Sequence, residues 1–299
     1  MKKIIKYFLS KTWYIKNLNN KINQQGFFDA GHYHSPIPDK NSIKELTINK
    51  RQISLSLQDI KINKKNQKAI LNDYIQFYDS IPFPIDKNEK FRYYFNNDYF
   101  SYSDAIFLHS FLLYNKPKRI IEVGSGFSSA VILDTVEMFL SNKPEIIFIE
   151  PNLDRLNNLI FKRDEDNCKI INSVLQDTPL EIFSKLKSGD LLFIDSSHVV
   201  KYGSDLQMLF FNIMPILSKG VFVHFHDIFY PFEYPYEWLK KGIYWNEIYF
   251  LRAFLSYNNN WSIHFFNNYV AHEFEEIIEK KMPLCLKNTG GSIYIQKKD

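Results

Sequence analysis

Two groups of acidic and imidazole side chains follow apolar runs of this sequence. Asp195 and His198 come after the run LLFI, and His226 and Asp227 end the run VFVHFHD. An imidazole whose pKa lies near neutrality can remove a proton from a reacting hydroxyl group. Carboxylate and imidazole groups together can also hold a divalent metal ion. The two groups therefore predict a site for proton transfer or for metal binding.

Each of these chemistries assigns roles to particular residues. For proton transfer, His198 is the first candidate for the general base and His226 the second. Asp195 or Asp227 would then orient the imidazole ring. For metal binding, the predicted ligands are Asp195, Asp227 and a histidine, with His226 as the first choice and His198 as the alternative. This mixed set favours Zn²⁺, Mn²⁺ or Fe²⁺ over Mg²⁺. His224 shares one strand face with His226, and we expect it to lie in the core with backbone partners.

A glycine-containing stretch, IIEVGSGFSSAV, ends another apolar run. Gly124 and Gly126 allow the backbone to turn tightly and to come close to a ligand. Ser128 and Ser129 offer hydroxyl groups where the next helix opens, beside its free N–H groups. Glu122, two residues before Gly124, would repel a pyrophosphate and suits a ligand that carries an ammonium group.

Polar residues after the next two predicted strands suit the rest of a nucleoside ligand. Glu150 ends the run EIIFIE, and a carboxylate there can accept hydrogen bonds from ribose hydroxyls. Gln176 and Asp177, in VLQDTP, can hold an adenine amino group. An ammonium group, a ribose and an adenine in this order match S-adenosylmethionine (SAM).

The motifs E-V-G-S-G-F-S-S, I-E-P and Q-D resemble those of the class I SAM-dependent methyltransferases over about residues 100 to 299. The family's usual third glycine is Ser128 here. The chain is also similar to a bacterial subgroup of uncharacterised methyltransferases found near surface-polysaccharide genes, which implies polysaccharide modification. Together with the loop itself, the resemblance implies these cofactor-binding residues: Glu122, Gly124, Ser125, Gly126, Ser128, Glu150, Gln176 and Asp177.

Strand and helix patterns alternate five times from about residue 96 onward. The early strands are nearly continuous apolar runs, as expected of strands that are buried on both faces. We therefore predict a Rossmann-like, open, mostly parallel α/β sheet with helices on both faces and an antiparallel last strand. Residues 1–95 are predicted to form an N-terminal extension that packs on the methyltransferase domain, residues 96–299. Parallel strands end at one edge of a sheet, so Asp195 and Asp227 should lie close together.

Aromatic and acidic residues flank this edge in the sequence. Tyr99 and Tyr102 precede the first strand of the sheet, where a lid is expected, and Glu233 and Trp245 follow the fifth strand. Aromatic faces combined with carboxylates suit stacking on a sugar or an aryl ring. We predict methyl transfer to a small-molecule or glycan acceptor, with a sugar hydroxyl oxygen as the first choice.

Two alternatives remain open from the sequence. An NAD-dependent oxidoreductase shares this sheet and loop, and Tyr236 and Lys240 have the Tyr-x-x-x-Lys spacing of one such class. They follow a turn that contains prolines, however, rather than lying within a long helix. The second alternative is a catalytically inactive methyltransferase fold that serves in binding.

The composition of the chain limits the cellular locations and the kinds of binding partner that we expect. The net charge is only +4 and no dense basic block is present, so nucleic-acid binding has no support. Two cysteines without a CxxC pair suit a reducing cytoplasm. No apolar run reaches the roughly 20 residues of a membrane span. The basic N-terminus, whose apolar run is interrupted by Lys6, could instead form a helix that lies on a membrane surface.

Overall fold

The structure is a computed structural model that describes residues 26–43 and 57–298, together with Tyr7 and Thr12. The chain divides into two compact units. The larger unit contains the described residues 57–234 and 245–298, and the smaller one contains residues 26–43 and 235–244. Residues 57–95 thus share a unit with the sheet, and the predicted domain division at residue 95 stays a prediction. The predicted surface helix at the N-terminus lies almost entirely outside the described residues.

Seven described strands form one sheet in the larger unit and are numbered in chain order: β1 (Arg119–Val123), β2 (Glu145–Ile149), β3 (Lys169–Ile171), β4 (Leu191–Ile194), β5 (Phe222–His226), β6 (Trp261–Phe266) and β7 (Ser292–Lys297). Their order across the sheet is β3-β2-β1-β4-β5-β7-β6. The strands β1 to β5 run parallel, while β7 pairs antiparallel with both β5 and β6. The predicted open, mostly parallel sheet with an antiparallel last strand is confirmed.

The register of the central strands explains how distant residues meet. Val123 pairs with Ile194, and Ile194 pairs with Phe225. The next residues along the three strands lie side by side at this edge of the sheet, namely Gly124, Asp195 and His226, the last residue of β5. One edge of the sheet therefore gathers the loops that the sequence analysis singled out.

The helices of the larger unit pack around the sheet: α1 (Lys64–Ile75), α2 (Ser103–Asn115), α3 (Phe127–Phe139), α4 (Asp154–Asn157), α5 (Leu180–Ser184), α6 (Asp205–Met208), α7 (Met214–Ile216), α9 (Glu247–Leu255), α10 (Asn267–Glu273) and α11 (Glu275–Lys281). A π-helical turn, Leu209–Ile213, joins α6 to α7. Short 3-10 turns occur at Tyr78–Ser80, Lys162–Asp166, Leu175–Asp177 and Pro283–Leu286. None of the helices in the described part of the chain has the length and apolar character needed to cross a membrane.

The segment before α2 is fixed to the larger unit by a buried ion cluster. The guanidinium group of Arg92 contacts Asp134 on α3 at 2.7 Å and Asp164 at 2.5 Å. All three side chains are almost fully buried. The Arg92 and Tyr93 backbone N–H groups also donate to Asp134. This cluster holds the chain just before Tyr99, which lies at the functional edge of the sheet.

The smaller unit contains the short helix α8 (Tyr236–Lys241), which ends at Gly242 with a φ of 86°. Left-handed backbone at this position favours glycine. In residues 26–43, aromatic rings contact one another. The ring centroids of Phe28 and His32 are 4.5 Å apart and the rings are stacked, while those of Tyr33 and His34 are 4.1 Å apart and the rings are tilted. Tyr33 itself is 85% exposed.

Candidate active site

A cavity of about 670 Å³ opens where β1, β2, β4 and β5 end. Its walls contain backbone and side chains from the loop after each of these strands. Most of the sequence-predicted site residues line it: Tyr99, Gly124, Ser125, Gly126, Ser128, Glu150, Gln176, Asp195, His198, His226, Asp227 and Trp245.

Four predicted residues lie outside this cavity, namely Glu122, which lies beneath the loop, and Asp177, Tyr102 and Glu233. Asp177 is exposed at the end of a 3-10 turn, while its neighbour Gln176 lines the cavity wall. Tyr102 stacks its ring on Phe95 at 5.2 Å, because a left-handed backbone at Tyr102 turns the side chain there. Glu233 accepts a hydrogen bond from the hydroxyl of Tyr249. The structure therefore does not bring the last three of these side chains to the site.

The glycine loop has the close packing that its sequence indicates. Gly124 has a φ of 81°, and a Cβ atom there would lie 1.6 Å from the carbonyl oxygen of Asp195. Only glycine fits at this position, where the chain leaves β1 against the backbone that follows β4. Glu150 accepts the backbone N–H of Ser125 at 2.9 Å and that of Asn152 at 2.8 Å. The carboxylate is thereby fixed at the cavity wall beside the loop.

Glu122 lies beneath the loop rather than in the cavity wall. It is fully buried, and Oε2 accepts the hydroxyl of Ser129, which in turn accepts the N–H of Gly126. Burial raises the pKa of Glu122 to about 8. Its Oε1 atom has no hydrogen-bond partner among the described residues. Glu122 thus supports the loop from inside the core.

Two histidines and two aspartates meet at the ends of β4 and β5. The Nε2 atom of His198 lies 3.3 Å from Asp195 Oδ1 and 3.5 Å from Asp227 Oδ2. The Nδ1 atom of His226 lies 3.3 Å from the same Asp195 oxygen and 3.7 Å from the same Asp227 oxygen. Asp195, His198 and Asp227 each offer a ligand atom within 4.8 Å of the others. Of the two histidines that the sequence offered as a metal ligand, His198 is the one in this group of three.

The loop that carries His198 is clamped by the start of α9. His198 has a left-handed φ of 57°, a conformation that costs free energy in a residue with a side chain. Its carbonyl oxygen accepts the N–H groups of both Asn246 and Glu247 at 3.2 Å. The Asn246 side chain also bonds the N–H and the carbonyl of Val200. These contacts offset the backbone strain at His198.

The charges of the cluster shift the pKa values of its own side chains. Burial alone would lower the pKa of His198, but hydrogen bonds to Asp195 and Glu247 raise it to about 10. Burial would raise the pKa of Asp195, but His226 and His198 hold it well below its usual range. His226 has a raised pKa because the charges of Asp227 and Asp195 outweigh its burial. The carboxylates thus favour positive charge at this edge of the sheet, whether it is carried by protons or by a metal ion.

His224 lies in the core, as its position within β5 indicates. Its ring is fully buried and stacks on Phe193 with 3.8 Å between ring centroids. Burial lowers the pKa of His224 well below its usual range. The expected backbone partners are absent, since neither ring nitrogen has a hydrogen-bond partner among the described residues.

Several contacts of the site were not predicted from the sequence. Glu247 and Asp104 are buried carboxylates beside His198 and His226, and both lie in the first turn of a helix. An acidic residue at that position ordinarily indicates only a favourable interaction with the helix dipole. At the mouth of the cavity, the guanidinium group of Arg155 lies 3.8 Å from the ring centroid of Tyr99. Trp245 stacks on His198 at 4.2 Å.

Comparison with known proteins gives three similarities. Residues 121–228 match a family model described as a methyltransferase domain. A protein of Archaeoglobus fulgidus, described as uncharacterized, is 34% identical over 169 residues, which are 54% of this chain and 75% of that protein. The SAH-bound methyltransferase PaMTH1 of Podospora anserina has a TM-score of 0.42 at 14% identity, covering 87% of this chain and 97% of that one.

A second solved structure, an O-methyltransferase from Bacillus cereus in complex with SAH, has a TM-score of 0.40 at 12% identity. The match covers 86% of this chain and 97% of that one. At these values neither structure assigns a role to any residue described above.

The family match begins within β1 and continues through β5, the segment whose loops form the cavity. It excludes the oxidoreductase alternative, and the Tyr236 and Lys240 pair that suggested it lies on the six-residue helix α8. Residues 121–228 therefore form a methyltransferase domain, and the sheet has the mostly parallel strand order with an antiparallel last strand that the resemblance to class I SAM-dependent methyltransferases implied.

Proposed function

We propose that this protein transfers the methyl group of S-adenosylmethionine to a hydroxyl oxygen of a small-molecule or glycan acceptor, with a sugar as the first choice. One observation carries the proposal. A single cavity extends from the glycine loop, where the donor is expected, to the cluster of Asp195, His198, His226 and Asp227. Donor and proton-accepting groups therefore share one space.

The donor would lie along the loops after β1, β2 and β3. Gly124 and Gly126 line the cavity where the methionine part is expected, and Glu150 would present its carboxylate to the ribose hydroxyls. Val174 and Gln176 line the cavity where the adenine is expected. In the reaction, the acceptor oxygen forms a bond to the methyl carbon while the carbon–sulfur bond breaks. S-adenosylhomocysteine leaves, and the proton of the hydroxyl passes to a base.

His198 is the first candidate for this base and His226 the second, both beside Asp195. Both rings line the cavity, so either can reach a bound acceptor. Trp245 covers one face of the His198 ring and limits its contact with water. Loss of the proton from His198 would require the acceptor or another cation to change the field of the surrounding carboxylates.

A divalent ion also fits the chemistry of this cluster. The Nδ1 atom of His226 is buried without a hydrogen-bond partner among the described residues, and it lies 3.3 Å from Asp195 Oδ1. Asp195, His226 and Asp227 would hold the ion, which would supply a positive charge that makes a bound hydroxyl more acidic. The residues of the chain would then bind and orient the acceptor beside the donor.

The acceptor pocket is walled by aromatic rings at its mouth. Tyr99 is 56% exposed, stacks on Phe127 and carries the guanidinium group of Arg155 on its ring. Trp245 lies on the opposite side, next to His198. Flat aromatic surfaces near carboxylates suit a sugar ring. The unpaired thiols of Cys168 and Cys285 fit a reducing cytoplasm, which we propose as the location.

Turnover tests the proposal directly. The purified protein is first titrated calorimetrically with SAM, and release of S-adenosylhomocysteine is then measured with a panel of sugars, nucleotide sugars, catechols and amines. Methylation of a hydroxyl compound supports the proposal. Binding of SAM without turnover on any hydroxyl compound would favour the inactive, binding alternative instead. The absence of SAM binding would overturn the proposal as a whole.

A further inference from the structure

Two exposed basic side chains of the cavity have no acidic partner among the residues that the structure describes. Arg155 and Lys201 both line the cavity. Neither side chain makes an ion pair or donates a hydrogen bond to any described residue. They belong to the segments that follow β2 and β4, the two neighbours of β1 in the sheet. The segments on either side of the glycine loop therefore each supply a positive charge.

The carboxylates that line the same cavity are already engaged by other groups. Glu150 accepts two backbone N–H groups. Asp205 accepts both the N–H and the hydroxyl of Ser197, at 2.9 and 2.5 Å. The other two, Asp195 and Asp227, face the histidines of the cluster. None of these carboxylates compensates the two basic side chains, whose charge is thus left for a ligand.

Arg155 is held in an orientation that suits a negative group. Its Cζ atom lies 3.8 Å from the ring centroid of Tyr99, and that ring stacks on Phe127 with 14° between the ring planes. A Cβ atom at Gly126 would lie 2.9 Å from its Cδ atom, so the stem of the side chain lies against the glycine loop. Stacking fixes the plane of the guanidinium group and leaves its N–H edges free. Such a planar group binds a carboxylate or a phosphate with two parallel hydrogen bonds.

The donor does not account for both positive charges. At neutral pH, the sulfonium and ammonium groups of SAM outnumber its single carboxylate, so the donor brings a net positive charge of its own. Like charges that share one cavity repel one another. A negative group on the acceptor would compensate the basic side chains and the donor together.

We propose that the acceptor carries a carboxylate or phosphate group, that Arg155 binds this group at the mouth of the cavity, and that Lys201 attracts it electrostatically. The predicted acceptor class is an acidic sugar or a sugar phosphate. The inference deepens the proposed function and rests on it for the transfer step, whereas recognition of the negative group can be measured by binding alone. Arg155 and Lys201 then determine specificity and take no part in proton transfer.

Matched sugars test this recognition without turnover. The protein is saturated with S-adenosylhomocysteine and titrated calorimetrically with glucose, glucuronic acid and glucose 6-phosphate, and with galactose and galacturonic acid. An anionic sugar should bind at least about tenfold more tightly than its neutral partner, the gain expected of a hydrogen-bonded charged group. About 0.5 M salt should reduce this difference, because salt screens exposed charges. Equal affinity within every pair, or no binding of any anionic sugar, overturns the proposal.

Variants test the role of Arg155. Arg155→Gln should weaken binding of the anionic sugar about 10- to 100-fold and leave the affinities for the neutral sugar and for SAM unchanged. Arg155→Lys keeps the charge without the planar group and should recover part of the loss, while Lys201→Gln should have a smaller effect. Arg163→Gln is the matched control, because Arg163 is an exposed arginine that pairs with Glu137 and lies outside this cavity. It should leave every affinity unchanged, and circular dichroism establishes that each variant is folded.

The donor is the other source of a carboxylate at this site. A loss of SAM affinity in Arg155→Gln as large as its loss of affinity for the anionic sugar would assign the arginine to the donor and overturn the proposal. A protein that binds anionic sugars through Arg155 and methylates no hydroxyl compound would contradict the proposed function alone. Methyl transfer to neutral sugars and to their anionic partners with equal kcat/KM would contradict this inference alone.

Discussion

His198 is the residue on which the chemistry of the site depends most directly. It contacts Asp195, Asp227 and Glu247, and its backbone is held in a left-handed conformation by the start of α9. It lines the cavity but is not part of the glycine loop that supports donor binding. Donor binding and methyl transfer should therefore respond differently to its removal.

We expect His198→Ala to retain SAM affinity and to lose about 10²- to 10⁴-fold in turnover, the range for removal of a positioned acid–base group. Calorimetry gives the affinity, and release of S-adenosylhomocysteine gives the rate. His264→Ala is a suitable control, since that histidine lies on β6 and outside the donor cavity. Turnover near that of the native protein would remove His198 from the mechanism.

Glu122 gives a pH dependence whose sign can be derived. Its pKa rises from an ordinary value of 4.5 to about 8 in the folded protein, so between these values the folded state holds a proton that the unfolded state has released. Its contribution to stability is therefore fully present below pH 4.5 and is lost as pH rises through 8. The variant Glu122→Gln should not lose stability in this way, because glutamine has no carboxyl proton to release.

Relative to Glu122→Gln, the free energy of unfolding of the native protein should fall by up to about 1.4 kcal/mol per pH unit within this window. Urea unfolding of both proteins at pH 5.5, 6.5 and 7.5 measures the difference. Other titrating groups contribute equally to both proteins. Parallel pH profiles would show that Glu122 is ionised throughout.

At the level of elements, the site is built by loops that leave one edge of the sheet and by segments that cover it. The start of α9 clamps the His198 loop through Asn246, and α2 brings Asp104 to His226. The segment before α2 is fixed by the ion cluster of Arg92 with Asp134 and Asp164. Loss of that cluster should affect stability first.

Arg92→Ala leaves two buried carboxylates without their cation and should lower the free energy of unfolding by about 3 to 5 kcal/mol. Arg163→Ala is the matched control, because Arg163 pairs with Glu137 at a surface where the arginine side chain is 56% exposed. It should cost less than about 1 kcal/mol. Chemical denaturation compares the two variants, and equal losses would contradict the assigned role of the buried cluster.

At the level of the whole molecule, donor binding should stabilise the fold because the cavity is lined by the loops that follow all five parallel strands, β1 to β5. A ligand at 100 times its dissociation constant adds about 2.7 kcal/mol to the free energy of unfolding. We expect this for SAM and for S-adenosylhomocysteine, and no effect from NAD. Thermal unfolding with each ligand measures the shift. Stabilisation by NAD and not by SAM would contradict the cofactor assignment.

The sequence alone determined the class of the fold and the donor loop. Apolar runs alternating with helical patterns indicate a mostly parallel sheet, because strands buried on both faces need apolar side chains throughout. The glycine at position 124 predicted that two backbone segments come close together there. In the structure, the backbone that approaches Gly124 is the carbonyl group of Asp195, just after β4. These features are local in the chain or follow from the regular order of strands.

Only the tertiary structure decided which side chains share the site. Tyr102 and Trp245 looked alike as aromatic candidates, yet a left-handed backbone turns Tyr102 onto Phe95 while Trp245 stacks on His198. Glu247 could not be foreseen as a partner of His198, which lies 49 residues earlier. The physical reason is that periodicity fixes the face on which a side chain lies, whereas partners across the cavity depend on loop paths that no local pattern encodes.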